Sequence, residues 1–141
     1  MADFSESGVS FTYPESWQFE REETDDGWVV SVNGPGTAFV TVCLREDRPG
    51  VKRLTRAVLE TLREDYPELE AEEKIEQLAG RKAFGHDIQF FSLDLTNTCW
   101  TRSFASPPGT VLVICQTSDL ELETMEPVMR RICASLRVTD S

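Results

Sequence analysis

The sequence predicts an α+β domain, an antiparallel β-sheet of about six to eight strands flanked by two main helices in an α/β/α sandwich. Segments with a period of two residues precede residue 50 and follow residue 80, and a segment with a helical period follows each group. The segments 38–45 and 111–115 are apolar on both faces, so the sheet needs cover on both sides. A chain of 141 residues has room for one such domain, 1–141.

Four short strands are predicted in the first fifty residues. Alternation of apolar and polar side chains, as in Val9, Phe11 and Tyr13, is typical of a half-buried strand. We interpret the acidic run 22–27 and the sequence Asn-Gly-Pro-Gly at 33–36 as turns. The predicted strands are 9–13, 17–20, 28–32 and 38–45.

Two amphipathic helices are predicted from apolar residues spaced three or four apart. The first begins after Gly50 and ends before Pro67, because the residue before a proline disfavours helical geometry. The second runs from about Leu120 to Leu136, with Ser118 or Asp119 as a candidate N-cap. The apolar faces are Val51, Leu54, Val58, Leu62 and Tyr66 in the first helix, and Leu122, Met125, Met129, Ile132, Cys133 and Leu136 in the second.

The acidic segment 68–78 is ambiguous. Glu and Lys favour a helix, whereas Pro67 before it and the Ala-Gly pair after it permit a strand. We predict a solvated edge strand, because charged side chains protect sheet edges from aggregation. Three consecutive antiparallel strands follow, the last of which should be central because it is apolar on both faces. These strands are 82–94, 97–105 and 110–117.

The chain is strongly acidic, with 14 Lys and Arg against 25 Asp and Glu and a formal net charge of -11. This excess argues against binding to nucleic acid, whose phosphates need clustered cations, and against docking on an anionic membrane. Most of the excess lies before residue 79, whereas the rest of the chain is almost balanced. The pattern indicates one acidic flank that would attract a basic protein partner.

A cytoplasmic location is expected from two features of the sequence. The first residues show neither the basic nor the apolar region of a secretory signal. The longest apolar run, 111–115, is far shorter than the roughly 18 residues of a membrane span.

No catalytic group, metal site or cofactor is predicted. The single histidine, His86, cannot complete a His-rich metal site, and no Cys-x-x-Cys spacing occurs. His86 lies beside Asp87, but neighbours in a strand point to opposite faces, so a base oriented by this carboxylate is disfavoured. We interpret the cysteines as buried, reduced thiols, with a disulfide or a reactive thiol as the alternatives. They are Cys43, Cys99, Cys115 and Cys133.

The aromatic residues supply the candidate binding residues. Trp100, Arg102 and Phe104 should share one face of a strand, and arginine beside tryptophan is common on binding surfaces. The alternative is that Trp100 belongs to the core and Arg102 covers it at the rim. Trp17 and Trp28 lie on neighbouring predicted strands, where they would either pair in the core or form the wall of a groove.

Several short motifs resemble one family of domains. The sequence GVSFTYPESW at 8–17 is similar to the start of PsbP-like and Mog-like domains, which include DcrB-like bacterial members. The Gly-Pro-Gly turn, the sequence AGRKA at 79–83 and the closing ASLRV at 134–138 follow in the order typical of that family. The resemblance covers nearly the whole chain and implies the α/β sandwich.

The resemblance also implies a role that is largely non-enzymatic. Such domains include a photosystem II extrinsic subunit, a Ran GTPase partner and bacterial adaptors or chaperones. The photosynthetic role is not expected, because the sequence shows no transit or export segment, and no binding motif carries the Ran-binding role over to this chain. We therefore expect a protein-binding or adaptor module. The alternatives are a chaperone for a secreted or membrane-active client, held in the groove of a homodimer, and a small enzyme using His86 or a cysteine.

Overall fold

The computed structural model describes residues 1–139, which form an α+β sandwich of ten strands and two helices. The predicted fold class is therefore confirmed. The helices are α1 (Val51–Asp65) and α2 (Leu122–Ala134). The strands are β1 (Ala2–Glu6), β2 (Val9–Tyr13), β3 (Gln18–Thr24), β4 (Gly27–Asn33), β5 (Phe39–Arg45), β6 (Glu70–Leu78), β7 (Arg81–Ser92), β8 (Leu95–Ala105), β9 (Thr110–Ser118) and β10 (Arg137–Val138).

Seven strands form one antiparallel sheet in the order β3-β4-β5-β9-β8-β7-β6. Strand β9 lies at the centre, as the doubly apolar pattern of 110–117 predicts. Strand β6 lies at one edge, as predicted for the acidic segment 68–78. The sheet therefore consists of two runs of neighbouring strands that meet where β5 pairs with β9, with Val42 opposite Val113.

The two helices cover opposite faces of this sheet. On one face, Met129 and Ile132 of α2 belong to the main core with Val113. On the other face, Leu59 of α1 belongs to a smaller cluster with Ile88. The main contacts of α2 are with β9, β5 and β2, whereas those of α1 are with β7, β8 and β9. Each helix thus leaves part of its face uncovered, and the uncovered parts carry the surfaces described below.

A second sheet, in the order β1-β2-β10, closes the main core beside α2. Its Phe4 packs on Phe11 and edge-on against Trp28, with ring centroids 5.3 and 5.0 Å apart. Neither β1 nor β10 is predicted by the sequence pattern. Both depend on pairing with β2 rather than on their own periodicity.

Three sequence predictions are wrong in detail. The acidic run 22–27 is not a turn, because β3 continues to Thr24 and only Asp25 and Asp26 make the connection. The turn between β7 and β8 lies at 93–94, whereas the predicted strands end at 94 and begin again at 97. Neither Ser118 nor Asp119 caps α2, since Glu121 stands at the N-cap position. The Asp119 carboxylate instead accepts a hydrogen bond of 2.6 Å from the Thr98 hydroxyl.

The Glu121 carboxylate joins the start of α2 to the loop before β5. It accepts hydrogen bonds from the Thr37 hydroxyl at 2.6 Å, from the Thr37 backbone N–H and from the Thr117 hydroxyl at 3.1 Å. The Thr37 hydroxyl makes the largest contribution to the lowered pKa of Glu121. Gly36 lies so close that any side chain at that position would overlap the carboxylate.

Glu121→Gln is expected to lower the free energy of unfolding at pH 7 by about 0.5–1.5 kcal/mol, because an amide accepts these hydrogen bonds less strongly in a partly exposed site. A carboxylate whose pKa is lower in the fold stabilises the fold fully above its unfolded-state pKa, and the stabilisation is lost as the pH falls through the folded-state pKa. The difference between wild type and variant should therefore shrink in acid. Urea unfolding at pH 7 and pH 3 measures it, and an equal difference at both pH values would contradict the assignment.

Candidate functional site

A groove lies on the sheet face that carries α2, in the part that α2 does not cover. Two depressions of about 180 and 450 Å³ meet there at Trp100 of β8 and Arg130 of α2. Strands β6 and β7 form one wall, and α2 forms the other. We call this surface the Trp100 groove. Its principal side chains are Glu72, Glu76, Asp87, Trp100, Glu126 and Arg130.

Trp100 is half-buried, and an arginine covers its outer face. The Arg130 guanidinium lies 4.6 Å from the centre of the ring, a cation–π contact. Its Nε donates a hydrogen bond of 3.0 Å to Glu126, one turn earlier on α2. The Arg130 side chain is 54% exposed. The outer face of the Trp100 ring is therefore covered by a partly exposed cation.

Arg102 lies beneath the groove, where its hydrogen bonds link β8 to β7 and β6 like a clamp. The guanidinium donates to Glu76 of β6 at 3.0 Å and to Asp87 of β7 at 2.7 Å. It also donates to the backbone carbonyls of His86 and Thr101. The residue is only 7% exposed. The alternative in which Trp100 belongs to the core and Arg102 covers it is therefore wrong. Arg102 is the buried residue, and Trp100 is the more exposed of the two.

The other three candidate binding residues are part of the core. Phe104 shares the strand face of Trp100 and Arg102 but is fully buried in the main core. Trp28 is buried against Phe4, and the Trp17 ring packs against the Gly34 backbone. Because these three side chains are buried, a partner could not contact them. Trp100 is therefore the candidate aromatic residue that a partner could reach.

Acidic side chains line both walls of the groove. Glu70, Glu72 and Glu76 lie along β6, Asp87 lies on β7 and Glu126 lies on α2. Arg102, Arg130 and Lys74 offset them only in part. The sequence predicts the acidic flank and the contact surface in different regions of the chain. In the structure the two are adjacent, because β6 places its acids at the rim of the Trp100 groove.

Sequence reasoning missed two members of the groove, Glu126 and Arg130. The signal that could have found them is their spacing of four residues, which puts both on one face of α2. That face is the one turned toward the open half of the sheet.

Two cysteines meet at the inner end of the groove. The Sγ atoms of Cys115 on β9 and Cys133 on α2 are 3.4 Å apart. The two thiols share a hydrogen bond, which lowers the pKa of Cys133 and raises that of Cys115. Burial raises the pKa of Cys99 to about 12. Cys99 and Cys115 are buried as predicted, whereas Cys43 and Cys133 are half-buried, and all four are free thiols.

Mild oxidation with diamide is expected to join Cys115 to Cys133, because the sulfur atoms need to move little more than 1 Å to reach bonding distance. The two thiols lose two hydrogens, which reduce the diazene to a hydrazine. Peptide mapping without reduction identifies the pair. Cys133→Ser should abolish the bridge and Cys43→Ser should leave it. A product that links Cys43 instead would contradict the prediction.

His86 and Asp87 diverge, as predicted for neighbours in a strand. The Asp87 carboxylate lies on the Trp100 side of the sheet with Arg102, whereas His86 lines a cavity beside α1. Asp87 therefore does not orient the His86 ring. Burial is the largest cause of the lowered pKa of His86.

Among residues 1–139, no three His, Cys, Asp or Glu side chains lie close enough to hold a metal ion. In that same part of the chain, neither helix is long and apolar enough to cross a membrane.

The chain was compared with known proteins. No protein-family model matches it, and no curated protein does. Solved structures do resemble it. Cyanobacterial PsbP (CyanoP) from Synechocystis has a TM-score of 0.64 at 12% identity, covering 98% of this chain and 92% of that one. LpqN, involved in cell envelope biogenesis of Mycobacterium tuberculosis, has a TM-score of 0.60 at 12% identity, covering 93% and 83%.

A third similar structure is a Pseudomonas aeruginosa protein of unknown function, PA94, described as a candidate regulator. Its TM-score is 0.59 at 15% identity, and the match covers 100% of this chain and 99% of that one. At these identities the three likenesses show a shared PsbP-like fold and nothing about function.

Proposed function

We propose that this domain is a non-enzymatic protein-binding module whose Trp100 groove binds a basic segment of a partner protein. The observation that carries the proposal is the exposed Arg130 over the half-buried Trp100 ring, between two acidic walls. An aromatic face surrounded by carboxylates suits arginine or lysine side chains, because both the ring and the acids attract cations.

The groove would select its partner in two steps. The net charge of -11, with acids concentrated on β6, would attract a basic segment from a distance and raise its association rate. One cation of the segment would then displace Arg130 from the Trp100 ring, and others would pair with the acids of β6. Association should therefore weaken as salt is added.

Binding of a labelled basic peptide, with arginine and serine alternating, tests the proposal by fluorescence anisotropy. Trp100→Ala should weaken binding about five- to thirty-fold, the loss of a desolvated cation–π contact. Arg130→Ala should strengthen it, because the competing internal cation is gone. A peptide with glutamate in place of arginine should not bind.

Two acidic residues supply matched charge controls. Glu72→Gln removes a charge from the groove wall, and Glu22→Gln removes one from the exposed edge strand β3. We expect Glu72→Gln to weaken peptide binding more than Glu22→Gln. Equal effects of the two, or an Arg130→Ala variant that binds more weakly, would count against the groove as the site.

A second candidate function is the chaperone for a secreted or membrane-active client, and a different surface favours it. Beside α1 lies an open apolar cavity of about 390 Å³, lined by Phe39, Leu54, Val58 and Ile114 among others. It would take apolar side chains of the client. Val58→Ser should weaken binding of an apolar peptide and spare the basic one, which distinguishes the two functions. Sedimentation would test the homodimer that the chaperone hypothesis includes.

The finer family assignment, to PsbP-like and Mog-like domains with DcrB-like members, is also a proposal. The order of the motifs and the shared fold support it.

The cytoplasmic location and the absence of a cofactor remain predictions, which cell fractionation and mass spectrometry of the native protein would test. An enzyme using His86 or a cysteine is the remaining alternative. Turnover that is lost in His86→Ala would favour it over the binding module.

A further inference from the structure

A cavity of about 380 Å³ lies on the opposite face of the sheet from the Trp100 groove. It opens between the first turns of α1 and the hairpin of β6 and β7. Its size falls in the range of small-ligand sites. The side chains that matter for its chemistry are Lys52, Arg56, Ile75, Phe84 and His86.

Cations outnumber acids in the lining of this cavity, which includes one carboxylate, Glu73. Lys52 and Arg56 line it from α1, and Lys82 of β7 stands next to its Phe84 wall. The Nζ atoms of Lys52 and Lys82 lie 4.8 and 5.3 Å from the centre of the Phe84 ring. Among residues 1–139, no carboxylate lies within 4.0 Å of the charged nitrogens of these three residues.

A histidine and two apolar side chains complete the cavity. The Nδ1 atom of His86 is buried and, in the described part of the chain, has no hydrogen-bond partner. A buried polar atom of this kind is costly unless something outside the fold bonds to it. Ile75 is 61% exposed and, with Phe84, offers an apolar wall next to the cations.

We propose that this cavity binds a small organic phosphate. A phosphate monoester carries a double negative charge near neutral pH, which matches three unpaired cations better than a single carboxylate would. The phosphate would lie among Lys52, Arg56 and Lys82, beside the His86 ring. The organic group would contact Ile75 and Phe84. The site is independent of the Trp100 groove, because it lies on the other face of the sheet.

Phenyl phosphate is the probe, and His86 is the reporter. Because His86 is the only histidine in the chain, its ring protons give a single resolved titration by proton NMR. The charged groups that act on it are Arg56 and Arg63 of α1, Glu73 of β6 and Arg102 of β8, and Lys52 lines the same cavity. A bound dianion should raise the pKa of His86, because it stabilises the imidazolium.

Two arginines on the same helix provide the matched variants. Arg56→Gln should weaken phenyl phosphate at least about tenfold, the loss of one charge-assisted contact. Arg53→Gln makes the same change of charge at an exposed position outside the cavity and should leave the affinity nearly unchanged. Phenol and inorganic phosphate should each bind more weakly than phenyl phosphate, because each lacks one half of the ligand.

Three results would overturn the proposal. The first is a His86 titration that phenyl phosphate at about 10 mM, well above a millimolar dissociation constant, does not move. The second is an equal loss of affinity in Arg56→Gln and Arg53→Gln, because binding would then follow net charge alone. The third is inorganic phosphate or phenol binding as tightly as phenyl phosphate. None of these results depends on whether the basic peptide binds the Trp100 groove.

Discussion

Trp28→Ala is expected to lower the free energy of unfolding by about 3–5 kcal/mol, the range for a fully buried tryptophan. Trp28 is 2% exposed and packs edge-on against Phe4 of β1, 5.0 Å between ring centroids. Its indole N–H donates to the Ser7 hydroxyl at 3.3 Å. The side chain thus joins the small sheet to the large one, and alanine would leave a cavity between them.

The measurement is urea unfolding followed by far-UV circular dichroism, because the substitution removes a fluorophore. Phe19→Ala is the matched control, since Phe19 belongs to the same aromatic cluster but is 42% exposed. It should cost about 1 kcal/mol, because less of its area is removed from water. A loss below about 1 kcal/mol in Trp28→Ala would mean that the small sheet adds little to the stability of the domain.

Arg102→Met is expected to cost about 2–4 kcal/mol. Removing one member of a buried ion pair typically costs about 3–5 kcal/mol, because the other charge is left buried and unpaired. The effect should be smaller here, since the side chains of Glu76 and Asp87 are 42% and 33% exposed and water can reach them. Methionine retains much of the volume, so the loss reports mainly on the hydrogen bonds and charge.

Arg130→Met is the control for this prediction. It makes the same chemical change in the same groove at an exposed arginine, and it should stay within about 0.5 kcal/mol of wild type. Adding Asp87→Asn to Arg102→Met should recover part of the loss, because the two residues are in direct contact. If Arg102→Met proved as stable as Arg130→Met, the clamp beneath the groove would not contribute to stability.

Much of the fold follows from the spacing of apolar residues. The central position of β9 is predicted because its side chains are apolar on both faces, and a strand with that pattern needs neighbours and cover on both sides. For β6, the Glu and Lys side chains favour a helix, whereas the flanking Pro67 and Gly80 permit a strand. The strand forms because nine residue pairs link it to β7, and such pairing outweighs local propensity.

What the sequence could not predict depends on contacts between distant segments. β1 has only one large apolar residue, Phe4, so its short alternation is too weak to predict a strand; each of its residues pairs with β2. At the site, alternation correctly places Trp100, Arg102 and Phe104 on one face. It cannot tell which part of that face is covered in the fold, so it does not separate the buried Phe104 from the more accessible Trp100.

The pairing of β5 with β9 has a consequence for how the chain folds. The strands on either side of that seam, β3 to β5 and β6 to β9, each pair with sequence neighbours through short connections, so each group closes small loops at low entropic cost. The seam joins Val42 to Val113, a closure of 71 residues that includes α1. Long-range closures of this kind slow folding. We therefore expect formation of this seam, rather than of any hairpin, to set the folding rate of the domain.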